Sequence, residues 1–584
     1  MPEEGVRPKG GFYVALIVVV VLLLGYAFRH QIFPEGKQES KGGKITPTDL
    51  ANVGGKGGGA EADDKNIPTT AKEYKFVKEE PKLPPVKGVS NYEKLQDRTV
   101  KFALNVWAGW APIILQNEGK GPGKVWKSPS GQNFKVELIL IDNPVTLRDA
   151  YAAGKVHIGW ATLDMLPLFM ETLRADSRIW PRVYQQVDWS NGGDGIVIRR
   201  RHAKDPDRPT IADLRGKKVA LAQNSPSQFF VLNALINGGV QPSEVDFKYT
   251  EDAFQAAAAF NADRDIAACV SWSPDIYNLT KVKANHLLVT TATANRLIAD
   301  VWFARADFAK DNPDICEGLV RGIFDGIEAM KTDEGKKKAA QLMAAFYNVP
   351  PDEAAGMLND AHNTNFAENW QFFLNENNPA NFERTWNTAN YLYGRMGRVS
   401  RPVSFEQVMD FSIIKKLKDE PAYANSKVEY TVNFTPKTVQ AIKAESGEIL
   451  TKVVTILFFP NSWDLNKKVT VTEGGKDIER LYDPTVDLVL EEIGKLAGQY
   501  GAARIIIEGH TDASMRGKID ASLVKELSDR RANAVKEALV RKFPTLDPKQ
   551  FSTIGMGWDV PADPNNNAKN RRVEVKVYPL ESTE

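Results

Sequence analysis

The stretch "KKVALAQNSPSQFFVLNALINGG" (217–239) predicts a β-strand that runs directly into an α-helix. The apolar residues of "KKVALA" (217–222) suit a buried strand. Pro226 fits the first position of a helix and Ser225 fits its N-cap, while Gly238 marks the end of the helix. A strand joined to a helix by a short turn is the repeating unit of α/β folds.

Strand-like and helical runs alternate on both sides of this stretch. The alternation predicts mainly parallel sheets with helices on both faces, and residues 99–418 suit two α/β lobes better than one. The strand-like runs include VKFALNVW (100–107), KVELILID (135–142), VHIGWAT (156–162), GIVIRR (195–200) and IAACVSW (266–272); the helical runs include PVTLRDAYAAGK (144–155) and EDAFQAAAAFNAD (251–263).

The amino end of the helix that starts at Pro226 is a candidate ligand site. The free backbone N–H groups of Ser227 and Gln228 would point from the carboxyl end of a strand into a cleft. Open α/β sheets bind ligands there, and a helix N-terminus favours anionic groups. Ordinary helix capping explains the same residues equally well, so this pattern alone leaves both interpretations open.

Three segments resemble a family of periplasmic solute-binding proteins, namely the nitrate, sulfonate, taurine and thiamine-precursor receptors of ABC importers. The segments are LRDAYAAGKVHIGWAT (147–162), ADLRGKKVALAQNSPSQFFVLNALINGGVQPSEVDF (212–247) and ACVSWSPDIYN (268–278), and the likeness extends over roughly 99–415. His157 departs from the pattern, because that position is more often acidic in the family. The resemblance implies a two-lobed periplasmic-binding-protein fold.

The same resemblance implies that the lobes close on a small anionic or polar solute. Hydroxyls, amides and helix N-termini suit such a solute, and tryptophans suit a flat or aliphatic body. Each tryptophan could equally belong to the core. The expected solute-binding residues are Trp107, Trp110, Thr162, Asp188, Asn224, Ser225, Ser227 and Trp272; Trp189 and Asp194 could also line the cleft.

Residues 445–584 carry a second pattern, that of a small α/β sandwich. The stretch "RIIIEGHTDASMRGKID" (504–520) begins as a buried strand and ends in polar residues. Further strands are predicted within 450–466, 551–560 and 571–579, and helices within 483–500 and 527–543.

Four motifs in this segment, in order, resemble the OmpA-like peptidoglycan-binding domain: GHTD (509–512), LSDRRANAV (527–535), GMGWDVP (555–561) and NRRVEV (570–575). In that family a carboxylate and an arginine grip the diaminopimelate of the cell-wall peptide. Carried over by motif, Asp512 is the carboxylate and Arg531 the arginine. The residues expected nearby are Thr511, Asn570, Arg571 and Arg572.

The chemistry of this expected site is consistent with its ligand. Diaminopimelate carries an ammonium and a carboxylate on one carbon, which an aspartate and an arginine fork complement. The interval between Asp512 and Arg531 is longer than is usual in the family, so the loop is predicted to be remodelled. The domain would then bind the wall peptide more weakly or accept a different peptide. The alternative interpretation of Asp512 is a helix-capping acid without a ligand.

An uncharged apolar run extends from Phe12 to Phe28, at the short end of the roughly 17–25 residues that cross a bilayer. We interpret residues 1–30 as a signal-anchor transmembrane helix; cleavage near "GYA" (25–27) is the alternative. Residues 31–98 are rich in glycine, charge and proline, which predicts a flexible linker. Residues 419–444 are expected to form a connector.

The composition argues against several classes of function. Lysine and arginine (75) balance aspartate and glutamate (74), so no basic field points to nucleic acid. Two cysteines and six scattered histidines form no disulfide framework or metal motif. We find no catalytic constellation and no cofactor motif, and predict that the protein is not an enzyme.

The sequence therefore predicts a single-pass inner-membrane protein whose bulk lies in the periplasm. It would bind a small solute, anchor non-covalently to peptidoglycan and have an ABC permease as a possible membrane partner. The first alternative is a stator-type partner of an ion-driven motor, resembling MotB with a MotA/TolQ-like partner. That family needs an acidic residue in its membrane helix, and 12–28 contains none. An enzyme on the solute-binding fold is the second alternative.

Overall fold

The structure is a computed structural model that describes residues 69–474 and 476–580. The predicted signal-anchor and the first part of the predicted linker lie outside the described residues. Within the described part of the chain, no helix combines the length and the apolar character needed to cross a membrane.

The strands are β1 (Thr99–Leu104), β2 (Val125–Trp126), β3 (Phe134–Leu140), β4 (Ile158–Thr162), β5 (Pro181–Ser190), β6 (Asp194–Arg199), β7 (Lys218–Ala222), β8 (Asp246–Thr250), β9 (Ala268–Trp272), β10 (Asn285–Thr290), β11 (Ala299–Arg305), β12 (Ala361–Asn363), β13 (Leu450–Val454), β14 (Lys468–Glu473), β15 (Lys476–Leu481), β16 (Ala503–His510), β17 (Phe551–Gly557) and β18 (Val573–Pro579).

The helices are α1 (Ala111–Gln116), α2 (Pro144–Ala152), α3 (Leu166–Leu173), α4 (Pro226–Asn237), α5 (Ala253–Ala262), α6 (Asp275–Thr280), α7 (Ala306–Asp311), α8 (Pro313–Ala329), α9 (Asp333–Tyr347), α10 (Pro351–Met357), α11 (Phe366–Leu374), α12 (Phe382–Arg395), α13 (Ser412–Leu417), α14 (Val439–Glu445), α15 (Val486–Gln499), α16 (Ala521–Lys542) and α17 (Asn567–Asn570).

Two sheets form the two lobes, but both are mixed rather than mainly parallel as the alternating pattern predicts, because the strands that follow each connection between the lobes run antiparallel to their neighbours. The first lobe has the strand order β12-β5-β11-β4-β1-β3-β2, and the second has β10-β6-β9-β7-β8. In the first lobe β1 runs parallel to β3 and β4, and β11 runs antiparallel to β4 and β5. In the second, β7 runs parallel to β8 and β9. The strands β4 and β7 are almost wholly buried, which matches their continuous apolar sequence.

The junction between β7 and α4 follows the sequence-based prediction. The helix starts at Pro226, and Gly239 after its end has φ +72°, the left-handed conformation that stops a helix. The lobes are joined by residues 191–193, between β5 and β6, and by 291–298, between β10 and β11. A Cβ atom on Gly193 would lie 2.4 Å from the ring of Trp107, so the first connection needs a glycine there.

Residues 69–98 differ from the flexible linker that the composition predicts for 31–98. The backbone N–H of Thr70 donates to Asp275 Oδ1 (2.8 Å), and that of Val77 donates to the carbonyl of Tyr249 (2.8 Å). Leu83 is buried. These backbone contacts and scattered apolar contacts follow no helical or strand period, so the composition did not reveal that the segment is packed.

The carboxyl-terminal segment forms a four-stranded sheet with the order β13-β18-β16-β17. Its strands alternate between two faces. Ile505 and Ile507 of β16 point into the core shared with α15 and α16, whereas Ile506 packs with Val439 and Ile442 of α14. The fold is therefore the predicted α/β sandwich. The boundary prediction differs, because α14 starts inside the expected connector (419–444) and covers the sheet. The exposed hairpin β14–β15 was not predicted.

This carboxyl-terminal domain packs against both lobes. Arg384 of α12 pairs with Glu491 of α15, with 2.5 Å between Nε and Oε1. In the second lobe, Asn233 of α4 donates to Gln499 Oε1 (3.0 Å). The backbone N–H of Arg296, on the second connection between the lobes, donates to the carbonyl of Gln499 (3.1 Å).

Candidate functional site

The first candidate site lies in the cleft between the lobes. On β11, Asp300 is the register partner of Thr162 on β4 and of Asp188 on β5. Across the cleft, Asp194 at the start of β6 pairs with Trp272 at the end of β9. These strand ends enclose a small pocket of about 20 Å³, lined by Asn105, Trp107, Trp160, Thr162, Asp194, Pro226, Trp272, Ile298 and Asp300.

The carboxyl groups of this cleft are buried and perturbed. Burial, together with the other nearby aspartates, raises the pKa of Asp188 to about 7, that of Asp194 to about 7 and that of Asp300 well above its usual range. The indole N–H of Trp107 donates to Asp188 Oδ1 (3.1 Å), and Ser190 Oγ donates to Asp194 Oδ2 (2.6 Å). The lining therefore combines carboxyl groups with no cationic side chain among the described residues, which disfavours an anionic solute.

Several of the predicted solute-binding residues are brought together here. Trp107, Thr162, Asp194 and Trp272 line the pocket. Asp188 lies behind this lining, where it accepts a hydrogen bond from Trp107. Trp110 does not line it: its ring is fully buried edge-on to Phe102, which makes it a core residue. Trp189 likewise packs edge-on against Phe372.

The predicted anion site at the start of α4 is occupied by internal contacts. Asn224 Oδ1 accepts a hydrogen bond from Arg398 Nη1 (3.0 Å), and Ser225 Oγ donates to the carbonyl of Ala222 (3.0 Å). Ser227 is buried, and its hydroxyl has no partner in the described structure. None of these three lines the pocket, which receives only Pro226 from this helix.

Sequence reasoning missed Asp300, Asn105 and Trp160. Asp300 is the second residue of the apolar strand "ADVWFAR" (299–305), and a carboxylate at the buried end of such a strand was the available signal. Asn105 also accepts a hydrogen bond from the indole N–H of Trp110 (2.7 Å), so it joins the pocket to the core.

The second candidate site lies at the carboxyl end of β16 in the sandwich domain. A pocket of about 280 Å³ brings Asp512 and Arg531 together, although the chain separates them by a loop and part of α16. It is lined by Ile456, Leu457, Phe458, Pro460, Asn461, Tyr482, Gly509, His510, Thr511, Asp512, Ser514, Met515, Ile519, Val524, Leu527, Arg531, Trp558, Arg571, Arg572 and Val573.

Arg531 is a buried cation of this pocket that contacts of the protein hold in place. Its Nε donates to the carbonyl of Ser462 (3.1 Å), and its guanidinium lies 4.8 Å from the centre of the Phe458 ring. Burial and, to a smaller extent, the nearby Arg571 lower the pKa of Arg531 to about 10, while Asp512 opposes both effects. The group stays charged at neutral pH.

Asp512 has one oxygen engaged and one facing the pocket cations. Its Oδ1 accepts from the backbone N–H of Ser514 (2.8 Å), a local turn contact. Its Oδ2 lies 3.5 Å from Nη1 of the half-exposed Arg571. The N-cap of α16 is Asp520, which accepts from the backbone N–H of Ser522 (2.7 Å). Asp512 therefore does not cap the following helix.

The other residues expected near this site divide into two groups. Thr511 and Arg571 line the pocket, and the hydroxyl of the buried Thr511 has no partner in the described structure. Arg572 also lines it, but Glu574 holds its guanidinium at 2.6 Å. Asn570 lies outside the lining and exchanges hydrogen bonds with the backbone of Asp563, a structural role.

Glu508, His510 and Glu574 lie close enough for one atom of each to contact a single metal ion. Lys443 already pairs with Glu508 at 2.6 Å, and Arg572 pairs with Glu574 at 2.6 Å. Because these cations neutralise both carboxylates, the group works as an ion-pair cluster under the pocket.

Comparisons with known proteins match two separate parts of the chain. Residues 202–335 match the family described as NMT1/THI5 like, and residues 475–574 match the OmpA family. The taurine-binding periplasmic protein of Escherichia coli (strain K12) is 24% identical over 228 residues, which are 37% of this chain and 65% of that protein. A putative aliphatic sulfonates-binding protein of the same organism is 24% identical over 210 residues, 36% of this chain and 61% of that protein. The chain thus spans less than two thirds of either relative.

Among solved structures, the periplasmic aliphatic sulphonate binding protein from Escherichia coli aligns with a TM-score of 0.40 at 18% identity, covering 53% of this chain and 97% of that one. From the two family matches, the chain is a fusion of an NMT1/THI5-like solute-binding domain and an OmpA-family domain.

Proposed function

We propose that this protein works in the bacterial cell envelope, where its two-lobed domain binds a small polar solute and its carboxyl-terminal domain holds the diaminopimelate of the wall peptide. The observation that carries the proposal is the meeting of Asp512, Arg531 and Arg571 in one pocket of about 280 Å³. The names of the relatives, which bind taurine or aliphatic sulfonates, support a small organic solute for the other domain.

The charges of the pocket match the free end of diaminopimelate. Asp512 accepts hydrogen bonds from the ammonium group. Arg531 and Arg571 donate charge-assisted hydrogen bonds to the carboxylate on the same carbon. Arg531 is positioned in advance by Ser462 and Phe458, which lowers the entropy lost on binding. Met515 and Ile519 of the long loop face the stem of the ligand.

This function places the wall-binding domain outside the cytoplasm. The apolar run from Phe12 to Phe28 would then be an uncleaved signal-anchor, with the bulk of the chain in the periplasm. Solute and wall would be bound by one polypeptide next to the inner membrane, where an ABC permease is the partner that such a domain suits.

The test is co-sedimentation of the full chain, in mild detergent, with purified sacculi that contain diaminopimelate. Asp512→Ala and Arg531→Ala should each leave the protein in the supernatant. Glu537→Ala and Arg541→Ala remove the same charges from the exposed face of α16, away from the pocket, and should pellet like the unchanged chain. Sacculi with lysine in place of diaminopimelate lack the second carboxylate and should bind little. Equal pelleting of all variants would overturn the proposal.

A further inference from the structure

Carboxyl groups line the pocket between the lobes, and no positive side chain of the described residues does so. Asp194 and Asp300 line it, and Asp188 stands opposite Asp300 on the neighbouring strand. None of the residues that line it is a lysine, an arginine or a histidine. The electrostatic neighbours that act on these three carboxyl groups are other aspartates, including Asp164 and Asp360.

Within the protein, hydrogen bonds satisfy these carboxyl groups only in part. Trp107 donates to one oxygen of Asp188, and Ser190 donates to one oxygen of Asp194. The second oxygen of each has no partner in the described structure. Burying several carboxylates without a counter-charge is costly, so in the empty pocket these groups keep their protons to a higher pH, and a bound cation would allow them to ionise.

Two further groups of the pocket, independent of the carboxylates, also lack partners. The hydroxyl of Thr162, a residue only 2% exposed, makes no hydrogen bond within the described structure, and neither does the indole N–H of Trp272. A hydroxyl accepts from an N–H donor, whereas an indole N–H requires an oxygen acceptor. The unmet groups together fit a ligand that carries both a charged nitrogen and an oxygen.

The aromatic side chains of the pocket favour the same kind of ligand. Trp107, Trp160 and Trp272 all contribute to its wall. The face of an indole ring attracts a cation through its electron density, and tryptophan does so more strongly than the other aromatic residues. The volume of about 20 Å³ indicates that a short compound fits and that the lobes separate to admit it.

We propose that the cleft between the lobes binds a small organic ammonium compound with an oxygen substituent, whose nitrogen supplies the positive charge missing among Asp188, Asp194 and Asp300. This inference rests on the proposed solute-binding function and narrows its ligand. It differs from the sequence-based expectation of an anionic solute held at the start of α4.

Three compounds with the same two-carbon chain separate the possibilities. Ethanolamine carries an ammonium and a hydroxyl, taurine an ammonium and a sulfonate, and isethionate a hydroxyl and a sulfonate. Their binding to the full chain in mild detergent is followed by tryptophan fluorescence, because Trp107 and Trp272 line the pocket. We expect ethanolamine to bind at least about tenfold more tightly than isethionate, with taurine between them.

Asp194→Asn and Asp300→Asn preserve the shape of the pocket and remove the charge. Each should weaken ethanolamine binding by about 30-fold or more. Asp275→Asn is the matched control, since this buried aspartate of the second lobe is held by Thr70 outside the pocket. If a variant fails to fold, the order of the three compounds on the unchanged chain still decides.

Isethionate binding as tightly as ethanolamine, or more tightly, would overturn the ammonium assignment and leave the proposed solute binding intact. Ethanolamine affinity that is unchanged in both charge-neutral variants would overturn it as well. If none of the three compounds binds, both this inference and the proposed solute-binding function lose their support, while wall binding is unaffected.

Discussion

Asp188 and Asp300 stand opposite each other on neighbouring antiparallel strands of the first lobe, both almost fully buried. Two carboxyl groups in this position repel each other when both are ionised, and burial adds to that cost. The pair therefore holds a proton to a higher pH than an isolated aspartate. It titrates as a unit rather than as two separate groups.

The first prediction concerns stability against pH. A carboxyl group whose folded pKa is raised binds more protons in the folded state, so its contribution to stability is present below about pH 4 and is lost as the pH rises through about 7. Other groups titrate in the same range, so the measured quantity is the difference in stability between the unchanged chain and Asp300→Asn. The unchanged chain should lose stability relative to Asp300→Asn between pH 5 and 8, by an amount on the order of a few kcal/mol.

Thermal unfolding of both proteins across this pH range checks the prediction. Asp164 and Asp360 face the same region and remain in both proteins, so their contributions cancel to first order. A constant difference in melting temperature from pH 5 to 8 would show that the folded protein does not raise the pKa of Asp300.

The second prediction concerns the connection between the lobes. Gly193→Ala places a Cβ atom 2.4 Å from the Trp107 ring, so either the connection or the tryptophan must shift. We expect a loss of about 1–3 kcal/mol of unfolding free energy and weaker ethanolamine binding. Gly88→Ala is the control, because nothing lies within 4 Å of its added Cβ. Equal stability of the two variants by denaturant unfolding would contradict this packing.

The third prediction concerns α14, which the sequence placed partly in a connector. Ile442 is buried against Ile506 of β16, so Ile442→Ala should cost about 2–5 kcal/mol. Gln440→Ala changes an exposed position of the same helix and should cost little. Limited proteolysis gives a second readout: if α14 is part of the domain, cleavage near 439–445 should appear only in the Ile442 variant.

The fourth prediction concerns the junction between the carboxyl-terminal domain and the lobes. Arg384 and Glu491 form a partly buried ion pair at 2.5 Å. A double-mutant cycle with Arg384→Ala and Glu491→Ala should give a coupling energy of about 1 kcal/mol. A coupling energy near zero would mean that this contact does not help to hold the domains together.

Local features of the fold could be predicted from the sequence, because they depend on neighbouring residues. The start of α4 at Pro226 and its end near Gly238 follow from the fixed φ of proline and the freedom of glycine. The packing of residues 69–98 could not be predicted in this way. Their backbone contacts are made to Asp275 and Tyr249, which lie far away in the chain.

In the candidate sites, too, contacts between residues far apart in the chain could not be predicted unless a motif identified them. Asp512 and Arg531 were expected in one site because each lies in a motif that resembles the family's binding motif. Both line one pocket. Asp300 was missed because its neighbours arise from the strand order β5-β11-β4, in which β11 inserts between two strands that precede it in the chain. The acidic character of the cleft emerges only when three distant stretches of sequence meet.

The most direct test of wall binding is competition by the free ligand. The full chain is bound to diaminopimelate-containing sacculi in mild detergent and then washed with free meso-diaminopimelate or with cadaverine (1,5-diaminopentane) at equal concentration. Because Asp512 meets the ammonium while Arg531 and Arg571 meet the carboxylate, meso-diaminopimelate should release the protein at concentrations where cadaverine, which has ammonium groups but no carboxylate, does not. Equal release by both compounds, or release by neither, would contradict the assigned site.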